Sequence, residues 1–429
     1  MQRANTRLAT IGVEEILCVI ILAFFAMQGA IPGIAPNEAN EMTHAAATRL
    51  MIVAGIGSQL IVNAFICILS LRNFQRLRRF TFALQWAAPI SILAFCSALW
   101  SQDAITTARR GIPFILATIF ALYFASRFSI REQLAILTVT LTLAAIVSAL
   151  LAIFAPSIGL DASTGHAGNW QGVFTQKNAC GRAMVFATAA LLSGGRLNPA
   201  RIAALFLFLF VLIMSGSRGA WFIEALLLCS CALVYLLHRC APASRLFFLY
   251  VAVVVGITAA VAAWLYFPSM PALFGRDATL SGRTGIWQQV WFSIEKRPLL
   301  GYGFAAFWQG MKGESYNVNV ALKFVAFHAH NGFLEIWLEL GVVGLLLFAL
   351  SYARACRKLW RIISTGDVSG AAWMTLMLLL IILYNLDENT LLTFNGLFWV
   401  LYVVAIADIE ILAREHRLTR LATAGMVTI

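Results

Sequence analysis

Apolar windows long enough to cross a hydrocarbon core of ~30 Å recur along this chain. They lie near 11–31, 50–71, 82–100, 111–126, 133–155, 181–195, 202–215, 220–238, 246–267, 331–353, 371–386 and 394–412. A backbone in lipid must satisfy its hydrogen bonds within the segment, so each window is read as a helix. The expected fold class is therefore all-α, a polytopic membrane protein of about twelve transmembrane helices forming one domain over 1–429. The sixth and seventh windows are short, and a re-entrant hairpin there would change the count without changing the sidedness. Charged residues are only 12% of the 429, about half the share of a soluble chain. That excludes a water-soluble enzyme, a disordered chain and a disulfide-stapled secreted module.

The formal charge of +12 reads first as topology, and no nucleic-acid partner is expected. With the amino terminus inside, 19 of the 31 Lys and Arg residues fall in inner segments, and six of the remaining 12 sit in one long loop, 268–330. Among short loops the bias is 19 against 6, a positive-inside pattern that predicts both termini in the cytoplasm. No cleavable signal peptide is expected, because the first apolar run contains Glu14 and Glu15. The eight cysteines form no framework. Cys229 and Cys231 stand two apart on a helix and point to different faces.

The outward-facing side carries the elaboration, and a long loop with its own helical signals is usually functional. Within 268–330, the segment SGRTGIWQQVWFSIEKR at 281–297 predicts a short amphipathic helix near 284–297. Ile286, Val290 and Ile294 recur every four residues, and Pro298 with the GYG turn at 301–303 stops it. Its tryptophans also suit a membrane interface.

Arg218, in MSGSRGAW, and Arg283, in SGRTGIW, sit beside small residues. Either could be an interfacial or solvated arginine; together they suit a bidentate clamp for phosphate oxygens. His328 and His330 alternate just before the tenth window, followed by Asn331. No Cys or Asp cluster in that loop completes a metal site, so neither metal nor cofactor is expected. A histidine titrating near neutrality suits a general base. Glu335 and Glu339 follow one turn apart on the same helix. Carboxylates at that depth need a polar cavity, a partner cation or each other. Lys177, Asn178 and Arg182 in GVFTQKNACGR add to the same outer rim, as do Trp100, Asp103, Arg109 and Arg110 in one turn and Asp387, Glu388 and Asn389 in another. Such a cationic cavity suits a lipid-linked phosphate or pyrophosphate.

On these motifs the chain resembles the O-antigen ligase and Wzy-type polysaccharide polymerase superfamily, and within it the ExoQ-type exopolysaccharide polymerases. The histidine motif carries most of the resemblance: His330, Asn331, nine residues, Gly341, two residues, Gly344. Arg218 and Arg283 match the family's two functional arginines, and GVFTQKNACGR, RPLLGYGFAAFW and HAHNGFLEIWLELG also look like this branch, over about residues 95–350. The resemblance implies a metal-independent, inverting glycosyltransferase of GT-C type in the bacterial inner membrane, its site facing the periplasm. Donor and acceptor would be glycans on undecaprenyl pyrophosphate. Membrane lipids, a flippase and a chain-length regulator would be the partners.

Carried onto this chain, Arg218 and Arg283 would hold the pyrophosphate, and His330 would activate the attacking hydroxyl. Lys177, Asn178, Arg182, Asn331, Glu335 and His328 would bind substrate. Lys177 lines the cavity or touches a phosphate. Ligases of the family commonly carry threonines after the second glycine of the histidine motif; here Leu345 and Leu346 follow Gly344, which favours polymerase over ligase. A transporter of lipid-linked sugar is the reading from another class, but the candidate residues cluster at one face rather than at the bilayer midplane.

Overall fold

The apolar windows among the described residues become helices, and the polar breaks between them bring charged side chains together. The computed structural model describes residues 12–29, 45–162, 167–239, 283–364 and 370–423. The span predicted at 246–267, the start of the long loop at 268–282, most of the 32–49 turn and both extreme termini lie outside the described residues.

In chain order the helices are α1 (Val13–Ala26), α2 (Ala45–Arg72), α3 (Phe74–Phe80), α4 (Ala88–Cys96), α5 (Ala104–Arg127), α6 (Ile130–Phe154), the single turn α7 (Pro156–Gly159), α8 (Lys177–Ser193), α9 (Pro199–Met214), α10 (Arg218–Arg239), α11 (Arg283–Lys296), α12 (Ser315–Leu322), α13 (Gly332–Ser364), α14 (Ala371–Asp387) and α15 (Leu397–Thr423). The only β pairing among the described residues is a bridge between Leu160 and Trp170. Where helices begin, the sequence supplies caps: Asp103 accepts from Thr106 N at the start of α5, and Ser129 with Glu132 forms a capping box at α6.

Val53–Arg72 of α2, α5, α6 and α13 are long and apolar enough to cross a membrane. Phe74–Leu84 and Ala88–Leu99, bent by 90°, make a fifth crossing if they form one span. This is the architecture of a polytopic membrane protein. Several other predicted windows coincide with helices that are shorter or more polar than this test demands. α1 has 14 residues, and every 18-residue stretch of α15 holds Asp408, Glu410 and Arg414.

Two helices form the centre. α8 is buried from Ala179 to Leu191, and α15 is buried on almost every side from Leu397 to Glu410. A helix apolar all round belongs inside a bundle. Around them, α2 turns Val53, Ile56, Leu60 and Ile68 outward, a surface for lipid. The polar groups of α15 are paired: Glu410 meets Arg354 at 3.4 Å, Gln85 at 3.1 Å and Lys358, joining α15 to α13 and to the turn before α4.

α13 is broken at Gly341, whose φ of 68° and ψ of −172° only glycine adopts readily. The GYG turn fills the break. Tyr302 N donates to Leu338 O at 3.0 Å and Gly303 N to Glu339 O at 2.9 Å, while Val342 N donates to Pro298 O at 2.8 Å. The carbonyls and amide freed from the helix ladder are thereby satisfied. The same turn is lashed to the start of α5: Gln102 Nε2 donates to Ala306 O at 2.7 Å and Arg110 Nη1 to Ala305 O at 2.7 Å. Beyond the turn, Ile286, Val290 and Ile294 of α11 meet Val318 of α12, Phe307 and Leu338 in a small second core. This capsule sits over the start of α13 and fixes the loop that carries the histidines.

A Cβ at Gly341 would run into the Leu299 carbonyl. Gly341→Ala is therefore expected to lose at least about 1–3 kcal/mol from backbone strain alone, read as a lower unfolding midpoint in detergent. Gly55→Ala, inside α2 where an added methyl meets nothing within 4 Å, should unfold no earlier than the unaltered protein.

Candidate functional site

Asn331 is where α13 starts. Its Oδ1 accepts from Phe333 N at 3.0 Å and Leu334 N at 3.1 Å, so this predicted ligand serves as the helix N-cap. Just before it, His330 adopts a left-handed φ of 49°, an uncommon conformation that its surroundings must enforce. They do so from three sides. Trp287 Nε1 donates to Ala329 O at 2.9 Å, Ala329 N donates to Glu335 Oε2 at 2.8 Å, and His330 N donates to His328 Nδ1 at 3.2 Å. Because His328 Nδ1 accepts, the proton of the neutral ring sits on Nε2. Glu335 is buried and takes a second hydrogen bond from Trp308 Nε1 at 2.7 Å.

The two imidazoles lie 3.9 Å apart between centroids, and both face one carboxylate. Glu388, 2% exposed, follows α14. Its Oε2 is 3.3 Å from His330 Nδ1, 3.9 Å from His328 Nδ1 and 3.7 Å from Arg182 Nη1. Its Oε1 accepts from Asn178 Nδ2 at 3.0 Å and from Arg283 Nη2 at 3.3 Å. The other arm of the Arg283 guanidinium pairs with Asp387. Ser217 Oγ donates to Asn178 Oδ1 at 3.2 Å.

The sequence reading placed Asp387 and Glu388 only among residues ringing the cavity. The structure makes Glu388 the common partner of His328, His330, Asn178, Arg182 and Arg283. A signal was present: adjacent carboxylates end an apolar run on a face otherwise rich in arginine.

Arg218 opens α10 and is exposed. It adjoins the cluster through the chain itself, since a Cβ on Gly219 would meet Asp387 Oδ2 at 2.6 Å. Lys177, the first residue of α8, is buried. A cavity of about 380 Å³ opens beside these groups, with Arg182, His328, Glu388 and Glu335 on its walls together with Arg110 and Glu339. That volume is within the ~300–1,000 Å³ of small-molecule sites.

Burial by itself would raise the Glu388 carboxyl, but the imidazole of His330, with His328 and Arg182 behind it, outweighs burial and holds Glu388 well below the usual carboxylate range. Burial and then the neighbouring His330 push His328 down to about 3, so its ring is neutral at physiological pH. The site at neutral pH is thus a buried carboxylate anion ringed by guanidinium groups and a neutral His328.

His328, His330 and Glu388 also bring ligand atoms within 4.8 Å of one another, the spacing of a three-point metal site. The histidine loop supplies only two of the three. The third comes from a distant turn and already faces two guanidinium groups, which repel a divalent cation.

Residues 203–349 match the family model described as O-antigen ligase. The chain is also 28% identical over 363 residues to the exopolysaccharide production protein ExoQ of Rhizobium meliloti (strain 1021), a match spanning 80% of this chain and 77% of that protein. The family match includes Arg218, Arg283, His328, His330 and Glu335; Lys177, Asn178, Arg182 and Glu388 lie outside it.

The pH dependence of stability follows from the two shifted groups. His328 stays neutral in the fold, whereas an unfolded histidine takes up a proton near pH 6.5. Acidification therefore lowers stability from about pH 6.5 down to about pH 3. Glu388, depressed in the fold, adds to the loss once pH falls through the ordinary carboxylate range. The unfolding midpoint in detergent should fall between pH 7 and pH 5, by at most about 1.4 kcal/mol per pH unit for one group. His328→Gln should flatten that first segment, and a flat profile in the unaltered protein would contradict the assignment.

Proposed function

From the resemblance of this chain to the O-antigen ligase/ExoQ family of glycosyl-transferring enzymes, in its matched domain and along most of its length, we propose that it polymerises glycan repeat units carried on undecaprenyl pyrophosphate. The observation that carries this reading is the juxtaposition at Glu388. Guanidinium groups suited to phosphate and a histidine suited to a hydroxyl meet at one carboxylate, beside a polar cavity. The reaction would take place on the periplasmic face of the inner membrane, in a GT-C-type scaffold of about twelve spans with both termini inside. A flippase would supply the substrate and a chain-length regulator would act on the product.

In this mechanism Arg283 exchanges its carboxylate partners for pyrophosphate oxygens, and Arg218 joins it from the start of α10. Arg182 adds positive charge from the far side of Glu388. The acceptor hydroxyl oxygen attacks the anomeric carbon from the face opposite the pyrophosphate, inverting it. The bond from that carbon to the pyrophosphate oxygen breaks, and its electron pair leaves with the phosphate, where the guanidinium groups stabilise the growing charge. His330 takes the hydroxyl proton. Glu388, 3.3 Å from its Nδ1, orients the ring and stabilises the imidazolium that forms, the arrangement of a base steadied by a third group. No step calls for a metal ion.

A ligase that moves a finished glycan to lipid A-core or to protein uses the same groups, and the family match is what favours it as the second reading. Defined lipid-linked repeats incubated with purified protein separate the two. Long lipid-linked product indicates polymerase; unextended repeats, with transfer only to an added core acceptor, indicate ligase. In that assay Arg283→Ala and Arg218→Ala should each nearly abolish product while the protein still inserts. Normal product from either removes it from the pyrophosphate clamp. His330→Ala should lose ~10²–10⁴ in turnover, and full activity rejects the base. Turnover should survive EDTA; loss restored by a divalent ion would show that the two histidines and Glu388 hold a metal.

A further inference from the structure

The cavity has walls that phosphate binding leaves without a task. Glu339, 3% exposed, lies on one of them. Its Oε2 is buried and accepts no hydrogen bond among the described residues. Arg110, on the same cavity, leaves its Nε buried without an acceptor, while its guanidinium lies 4.8 Å from the Phe394 ring centroid. A buried carboxylate oxygen and a buried guanidinium N–H, both unsatisfied, are costly unless something else meets them.

The chemistry of the walls narrows what that partner is. A divalent cation finds only one free carboxylate oxygen on the α13 wall, since both oxygens of Glu335 already accept hydrogen bonds, and it finds Arg110 and Arg182 opposing it. A phosphate meets the carboxylates of Glu335, Glu339 and Glu388. An acyl chain satisfies none of the polar atoms. A neutral, hydroxyl-rich ring can donate to Glu339, accept from Arg110 and lay its C–H faces on Trp308, Phe327 or Phe394, all of which line the same space.

We propose that Glu339 and Arg110 form a sugar subsite, with the Glu339 carboxyl group accepting a hydrogen bond from a ring hydroxyl and the Arg110 guanidinium donating to another. It rests on the glycan reading above and deepens it, because it separates a phosphate end around Glu388 from a sugar end on the α5 and α13 walls. The ring belongs to the donor repeat or to the acceptor repeat, which present the same chemistry.

The test uses the purified full chain and two soluble probes: the oligosaccharide released by mild acid from the host's lipid-linked pool, and inorganic pyrophosphate. Glu339→Gln keeps the shape and one acceptor oxygen, but replaces the other oxygen with an amide group that only donates. Oligosaccharide affinity, followed by saturation-transfer NMR, should drop about tenfold with pyrophosphate affinity unchanged; Arg283→Ala should do the reverse. On the unaltered protein the two probes should bind together. Unchanged oligosaccharide binding in Glu339→Gln, joint loss of both probes, or mutual competition on the unaltered protein would each overturn the subsite. In turnover, a raised KM for acceptor assigns the ring to the acceptor, and a raised KM for donor assigns it to the donor. If the unaltered protein binds oligosaccharide through Glu339 but neither elongates nor transfers lipid-linked repeats, the functional reading fails while the subsite stands.

Discussion

The site depends on one buried carboxylate. Taking Glu388 out of water is unfavourable, and so is crowding the guanidinium groups of Arg182 and Arg283 into a small volume. Each makes the other tolerable: the anion offsets the mutual repulsion of the cations, and the cations offset its desolvation. Three segments far apart in sequence converge on it at the end of α14, namely the starts of α8 and α11 and the histidine loop. Arg283 already holds two carboxylates, Asp387 and Glu388, on its two arms. One planar guanidinium thus bridges two adjacent anions.

Around that interaction the fold divides its labour. The central helices α8 and α15 are inert packing for most of their length, and the chemistry sits at their outer ends and in the turns beyond. The capsule built on α11 and α12 has a core of its own. It gives the histidine loop a rigid backing that a bare extramembrane turn would lack. The strained φ of His330 is bearable because Trp287, Glu335 and His328 all hold that stretch from different directions.

Much of this was legible beforehand. Apolar windows mark the helices, and small residues beside Arg218 and Arg283 single out two arginines that open helices α10 and α11. The centrality of Glu388 was not legible, because a carboxylate becomes a hub only through contacts with residues 58 to 210 positions away, which no local pattern encodes. Asn331 shows the opposite difficulty. An asparagine after two histidines looks like a ligand, yet the free amides of the next helix claim its side chain. Counting crossings is hard for a related reason: α15 is apolar enough at its start to read as a span, but it carries Asp408 and Glu410, which only the neighbouring helices reveal as paired. Glu339 and Glu335 share a face, and only the tertiary structure shows that both oxygens of Glu335 accept hydrogen bonds while one buried oxygen of Glu339 accepts none among the described residues.

The break at Gly341 has an evolutionary consequence. Tyr302 and Gly303 supply donors that the interrupted helix lacks, so the turn at 298–303 behaves as a borrowed part of α13. Its length is therefore constrained like that of a helix. A residue inserted or deleted there would shift the register of Glu339 against Arg110 and misalign one wall of the cavity, although the change would lie in what looks like a loop. Variation among relatives should spare the spacing from Pro298 to Gly303 even where the residues themselves differ.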